Sequence, residues 1–339
     1  MEDAIGSQVG PGELKAVITG LEAALYEDMR GAQRAGDEAF DAEAKVRMCT
    51  PFGDLEGWDG WWDAILGPLA AAWPDIERRA QIRIAGSDEY GANWVGVGGF
   101  YLGTFETDWM GIPATQRPAH MRFHEFFRIE NGRVVEVQAL WDIPEVMMQA
   151  RAWPLAPSLG RDWHVPGPAT QDGTGPHPEG QAEAARAVIV SMLEHLKKHP
   201  SQGGPEVMEL ERFWHPRMTW YGPAGIGTGR GIEGFRRHHQ IPFLAAMPDR
   251  GQYLDEITYH FMAEGNYIGV TGWPNMVQTL TRGGWMGIAP AGQRLTMRSL
   301  DFWRLEGDLI RENWVLVDLL HVYEQLGVDV FARMRELVT

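Results

Sequence analysis

An α+β fold in two tandem copies is what this chain predicts, and three observations carry that expectation. The first is a repeat. Trp109-Met110-Gly111-Ile112, Gln116-Arg117, Met121-Arg122, Phe126 and Arg128 reappear as Trp285-Met286-Gly287-Ile288, Gln293-Arg294, Met297-Arg298, Phe302 and Arg304, mostly 176 positions later (Trp109 to Trp285). The match continues through Glu136/Glu312 to Asp142/Asp318, and upstream Gly60, Pro68 and Pro74-Asp75 recur as Gly234, Pro242 and Pro248-Asp249. Such a period is far longer than a solenoid repeat and is the length of a whole domain. The second observation is order: each copy passes from helical to strand periodicity, as an α+β domain does. The third is Asn131-Gly132 between two strand-like runs, the pair that a two-residue type I′ hairpin favours.

Taken in order, residues 1–12 read as a flexible N-terminal arm, and residues 13–150 as the first domain. Val17, Leu21, Leu25 and Met29 make one apolar stripe on a helix over 14–34. A short approach leads to a Gly-rich turn and a helical segment over 61–71. Strands follow at 79–84, 94–98 and 101–105, then the long pair 121–129 and 134–141. Residues 151–181, holding prolines 154, 157, 166, 168, 176 and 178, read as a linker without a core. Trp153 and Trp163 are expected to pin it along the surface. The second domain, 182–339, repeats the plan: a helix over 182–198, another over 235–245, and a last strand pair at 297–305 and 309–317. Gly307-Asp308 holds the place of Asn131-Gly132.

Composition narrows the function. The 339 residues carry a net charge of −16, which opposes a nucleic-acid partner, since phosphate binding rests on clustered Lys and Arg. It opposes an anionic membrane surface as well. One cysteine, Cys49, forms no internal disulfide and reads as a small buried residue. The N-terminus lacks a basic and an apolar region in succession, and no run of 18 apolar residues occurs. A cytoplasmic protein is expected. Fifteen tryptophans and sixteen methionines fit large-residue cores or, equally, cavities lined for a flat, largely apolar small ligand. No HExxH or CxxC spacing marks a metal site, and Gly222–Gly227 lacks the Lys-Ser/Thr of a phosphate loop, so neither metal nor cofactor is expected.

The hairpin suggests where chemistry would sit. With Asn131-Gly132 as the turn, Glu125 falls opposite Gln138 and Phe127 opposite Glu136. In the second copy Asp301 falls opposite Trp314, and Trp303 opposite Glu312. Alternation then places Met121, Phe123, Glu125, Phe127 and Ile129 on one face, matched by Met297, Ser299, Asp301, Trp303 and Leu305. Each copy thus sets one carboxylate in a nearly apolar row, where desolvation raises its pKa and suits it to acid–base work. A buried acid that serves only the fold is the competing reading. Asp142 and Asp318 end the next strand; the cap of the following helix is their expected role, a second cavity acid the alternative.

Asp301-Phe302-Trp303-Arg304, Glu312-Asn313-Trp314, Asp318 and Gln325-Leu326-Gly327 resemble the C-terminal signature of SnoaL-like polyketide cyclases, of the nuclear-transport-factor-2-like superfamily. Phe126 to Glu136 resembles the same stretch in copy one. The resemblance implies a cone-shaped domain, helices wrapped by a curved antiparallel sheet around a ligand cavity. It also implies an Asp or Glu that works on a carbon acid in an aldol-type ring closure without metal or cofactor. Those acids would be Asp301 and, by duplication, Glu125. The histidine that members often carry before the Trp-Met-Gly-Ile loop has no counterpart in Tyr101–Phe105 or Val277–Thr281.

Copy two supplies histidines elsewhere. Adjacent helical residues point about 100° apart, so at most one of His238 and His239 enters a cavity; His239 is the expected partner of Asp301, and a surface pair after Arg236 and Arg237 is the competing reading. The leading expectation is a cofactor-independent lyase, isomerase or cyclase acting on a small apolar carbonyl compound. Asp301, His239 and Glu125 are its catalytic candidates; Trp220, Tyr221, Trp303, Trp314 and Asp318 its substrate contacts. The two copies are expected to pair as an intramolecular pseudo-dimer, with further homo-oligomerisation open. The alternatives are a non-catalytic ligand-binding or protein-interaction module, and epoxide hydrolysis through Arg298, Asp301 and Asp318.

Overall fold

The computed structural model describes residues 9–171 and 175–338, so the first eight residues of the expected arm lie outside it. Copy one has strands β1 (Phe40–Met48), β2 (Asp54–Glu56), β3 (Glu77–Ser87), β4 (Asn93–Thr104), β5 (Pro118–Glu130) and β6 (Arg133–Trp141). Copy two has β7 (Trp214–Tyr221), β8 (Gly229–Arg230), β9 (His260–Glu264), β10 (Tyr267–Thr271), β11 (Met276–Thr279), β12 (Arg294–Met297), β13 (Ser299–Glu306) and β14 (Leu309–Val317). Each copy builds an open six-stranded sheet, in the orders β2-β1-β6-β5-β4-β3 and β8-β7-β14-β13-β10-β9. The fold is α+β, as the sequence predicts. The sheets are mixed rather than wholly antiparallel, because β1 runs parallel to β6 and β7 parallel to β14.

Helices lie against the sheets. Pro11–Glu27 buries Leu14, Ile18, Leu21 and Leu25, and Gln181–Leu196 buries Ala185, Ile189, Met192 and Leu196. The helical stretches that begin at Gly57 and Gly231 each contain a wide π turn, Trp62–Leu66 and Arg236–Gln240. Its cause is local. Pro68 and Pro242 have no N–H to donate, and the residue before each bonds five residues back, Gly67 to Trp62 and Ile241 to Arg236.

Both hairpins carry the predicted register for two pairs and then lose it. Glu130 faces Arg133 and Ile129 faces Val134, but Arg128 faces Glu136, so Val135 is an extra residue. In copy two Leu305 faces Ile310 and Arg304 faces Glu312, leaving Arg311 extra. Beyond each bulge the returning strand is displaced by one residue, which exchanges its faces. Glu125 therefore lies opposite Ala139, and Asp301 opposite Val315.

The copies meet through contacts that recur with the partners exchanged. Asp142 Oδ2 accepts from the Ala224 N–H at 2.9 Å, and Asp318 Oδ2 from the Thr50 N–H at 3.0 Å. Glu89 accepts from Phe261 N and Arg186, while Glu264 accepts from Ala85 N and Lys15. At the centre Phe126 stacks on Phe302. The linker binds copy two: Arg161 bridges Thr228, Trp163 Nε1 donates to Thr228 Oγ1, and Trp314 Nε1 donates to the Pro166 carbonyl at 2.9 Å. Among the described residues no helix is long and apolar enough to cross a membrane.

Candidate active site

The two carboxylates singled out by the sequence occupy opposite kinds of environment. Glu125 is fully buried and has a partner at every turn. Arg78 approaches Oε2 through Nη2 at 2.6 Å and Nε at 3.1 Å, while Tyr101 O–H (3.0 Å) and Trp141 Nε1 (2.9 Å) donate to Oε1. Arg78 is buried too, and its guanidinium lies over the Phe123 ring. Gln138, expected beside Glu125, is on the other face and accepts from Thr271 Oγ1. Geometrically, Glu125 is half of a satisfied buried ion pair.

Asp301 faces a cavity. The space, about 90 Å³, is enclosed by β13 and β14, the Gln181–Leu196 helix and the π turn, with Asp301, Trp303, Asn313, Val315 and Val317 forming the sheet wall. Among the described residues Asp301 has one hydrogen-bond partner, the Ser299 hydroxyl at 2.6 Å. Burial pushes its carboxyl up to about 7, against the opposing pull of Ser299 and of the Arg250 cation. The difference between the copies is readable in their residues. Tyr101, which faces Met121, has as its counterpart Met276, which faces Met297, and the Arg78 position carries Gln252.

His239 lines the same cavity and His238 does not. Its ring stacks on Trp220, centroids 4.1 Å apart and 11° from parallel. Burial, with Arg250 nearby, lowers its pKa to about 3, so the ring is neutral at physiological pH, and Nδ1 is buried without a partner. No hydrogen bond joins His239 to Asp301. Gln240, next on the π turn, has both amide atoms unpartnered, as are the indole N–H groups of Trp214, Trp285 and Trp303. Buried polar atoms normally find partners, so this many around one space is what a polar-edged ligand would satisfy.

Three expected contacts are elsewhere. The bulge turns Trp314 to the opposite sheet face, where it stacks on Tyr221 at 5.4 Å. Tyr221 donates to Glu312 Oε1 on that outer face. Asp318 accepts from His321 N as a helix cap and pairs with Arg298 at 3.3 Å. It does not reach the cavity, so Arg298, Asp301 and Asp318 enclose no common point. Residues missed by the sequence are Ser299 as the partner of Asp301, and Gln240, Arg250 and Trp285 on the walls. Cys49 is buried and its thiol is pushed up by desolvation. A larger cleft of about 240 Å³ opens at the seam among His120, Asp142, Glu145 and His164; of the acids singled out by the sequence only Asp142 lines it. Among the described residues no three His, Cys, Asp or Glu side chains converge as a metal would require.

The profile of SnoaL-like polyketide cyclases matches the chain twice, at residues 21–150 and 204–326, well over half its length. The chain belongs to the SnoaL-like polyketide cyclase family. Solved structures resemble single copies of this family member. IdmH from Streptomyces antibioticus is 23% identical, covering 40% of this chain and 96% of its own at a TM-score of 0.35. TsrD from Streptomyces laurentii is 25% identical, covering 42% and 98% at 0.34. A SnoaL-like polyketide cyclase from Agrobacterium tumefaciens is 17% identical, covering 42% and 98% at 0.30. No curated protein matches the chain.

Proposed function

We propose that copy two is a cofactor-independent acid–base catalyst of the lyase, isomerase or cyclase type, acting on a small enolisable carbonyl compound. The observation that carries this reading is Asp301: a carboxyl in a cavity, held by one hydroxyl, with its pKa raised to about 7. Such a group exchanges a proton near neutral pH, which is what removal of a proton next to a carbonyl requires. The proton leaves carbon for an Asp301 oxygen, and the electron pair moves onto the carbonyl oxygen. The indole N–H of Trp303 and the Gln240 amide are the unpartnered donors that would receive that charge. Neutral His239, its ring fixed on Trp220, is the candidate that returns a proton or orients the substrate.

In this reading copy one is a scaffold, because Glu125 is neutralised by Arg78 at 2.6 Å. The reciprocal contacts of Asp142 and Asp318, and of Glu89 and Glu264, support an intramolecular pseudo-dimer. The test is proton exchange. Wild-type protein in D₂O should catalyse loss of the α-proton NMR signals from members of a panel of aryl methyl ketones and β-diketones. Asp301→Asn should reduce the exchange rate by roughly 10²- to 10⁴-fold while Glu125→Gln protein that remains folded retains it. Equal rates for wild type and Asp301→Asn would remove the assignment.

A further inference from the structure

Arg250 is the unexplained charge in the second domain. It lies just beyond Pro248-Asp249, on the wall of the Asp301 cavity and of a neighbouring recess lined by Leu193, Tyr259 and Asn275. Its guanidinium has no salt bridge and no side-chain hydrogen bond among the described residues. The acids around it are already engaged: Asp249 accepts from Thr279 N, Asp301 from Ser299, and Glu194 from Lys197. Burial lowers its pKa, and the nearby Tyr259 and Asp301 only partly oppose that effect. A guanidinium partly withdrawn from water without a paired counter-ion is costly, and five donors in a planar fork are what such a site leaves open.

Copy one shows what neutralisation looks like. There Arg78 meets Glu125 through two nitrogens, and the position matching Arg250 is the buried apolar Ile76. In copy two the arginine stands two positions earlier than Arg78 does, and the acid is one methylene shorter. The cation and Asp301 therefore face one space without closing on each other.

We propose that Arg250 is the anchor for a carboxylate, and that the cavity takes a small aromatic or unsaturated compound carrying a carboxylate beside its enolisable carbonyl, in preference to the neutral ester. This rests on the reading of the cavity as the substrate site, and narrows the class of substrate. A carboxylate suits the fork because its two oxygens accept in parallel from one guanidinium. A phosphate suits it less: the neighbouring Lys197 is tied to Glu194 at 2.6 Å, so a single positive charge would meet a dianion. Trp220, Trp303 and Trp285 supply flat walls for the ring, and Gln240 and His239 supply partners for oxygen substituents.

The test is calorimetric titration of the whole chain with salicylate and with methyl salicylate, a pair differing by one charge. Wild type should bind salicylate about 10- to 100-fold more tightly, the span that a charge-assisted hydrogen bond corresponds to. Arg250→Gln should abolish that preference while leaving ester binding within a few-fold; Arg250→Lys should keep part of it. Arg250→Gln should also melt no lower than wild type without ligand, since it removes an unpaired, partly buried cation. Asp301→Asn should keep the preference for the acid even where proton exchange is lost, which separates this anchor from the catalytic assignment. Equal affinity of wild type for the two probes, failure of wild type to bind salicylate, or an unchanged preference in Arg250→Gln would each overturn the proposal.

Discussion

Phe126 and Phe302 stack face to face at the seam between the copies, ring centroids 4.9 Å apart and 13° from parallel. Glycines make the room. A Cβ on Gly96 would come within 2.8 Å of Phe126 and 3.0 Å of Phe302, and one on Gly269 within 2.9 Å of Phe126. The glycine-rich run in β4 and its counterpart in β10 thus serve the contact between domains.

Removing that stack should weaken the whole chain. Phe302→Ala is expected to cost about 3–5 kcal/mol in chemical denaturation, the usual span for a buried phenylalanine. The double variant with Phe126→Ala should cost less than the sum of the singles, because each ring is the other's main partner. Additive losses would show that the rings do not act as a unit.

The two acids should respond oppositely to loss of charge. Glu125→Gln leaves the buried Arg78 with Glu22, at 3.4 Å, as its remaining acid partner and should destabilise by about 3 kcal/mol. Asp301→Asn removes no ion pair and should leave the denaturation midpoint nearly unchanged at about pH 4, where the carboxyl is protonated in the fold. A destabilisation of similar size in both would mean that Asp301 is as structural as Glu125.

The raised carboxyl of Asp301 gives a pH signature. Its ordinary value is 3.8 and its folded value about 7. Between those limits the unfolded chain ionises the group while the folded chain keeps it protonated, so its contribution to stability falls as pH rises and levels off above about 7. Thermal melts of wild type and Asp301→Asn from pH 4 to 8 should show the gap moving in favour of the variant up to pH 7, then holding constant. A constant gap throughout would mean that the carboxyl is solvated.

Trp303→Phe isolates one donor. Its indole N–H has no partner among the described residues, so its loss removes no hydrogen bond seen there, and stability should change by less than about 1 kcal/mol. If that N–H receives charge on the carbonyl oxygen, proton exchange should fall by roughly 10²-fold with KM little changed. An unchanged rate would assign the indole to shape alone.

Much of the fold was legible in the sequence. The repeat gave the two copies, and Asn131-Gly132, both left-handed with φ of 50° and 73°, gave the hairpin. The bulge residues Val135 and Arg311 are ordinary strand residues, with nothing to announce them, and the one-residue displacement they introduce moved Trp314 to the wrong face. Asp301 kept its face because it precedes the bulge. Strand β1 is legible in the alternation of Phe40, Ala42, Ala44, Val46 and Met48 with charged residues, although the sequence reading makes that stretch a short approach to a turn. Gln240 stood next to His239; its side chain reaches the same cavity because the proline-induced π turn changes the helical phase. No local pattern marks Arg250, which the chain's tertiary path alone brings to Asp301.

The strap between the copies, held to copy two by Arg161, Trp163 and Pro166, makes their meeting a matter within one molecule. Two separate chains would have to find each other at cellular dilution, and every substitution would appear in both at once. A tether replaces dilution by a fixed local concentration, of millimolar order for short flexible links. Each half is also free to change alone. An arginine can lock the acid of one half into the frame while the other half keeps its acid open, an asymmetry denied to a symmetric pair of identical chains.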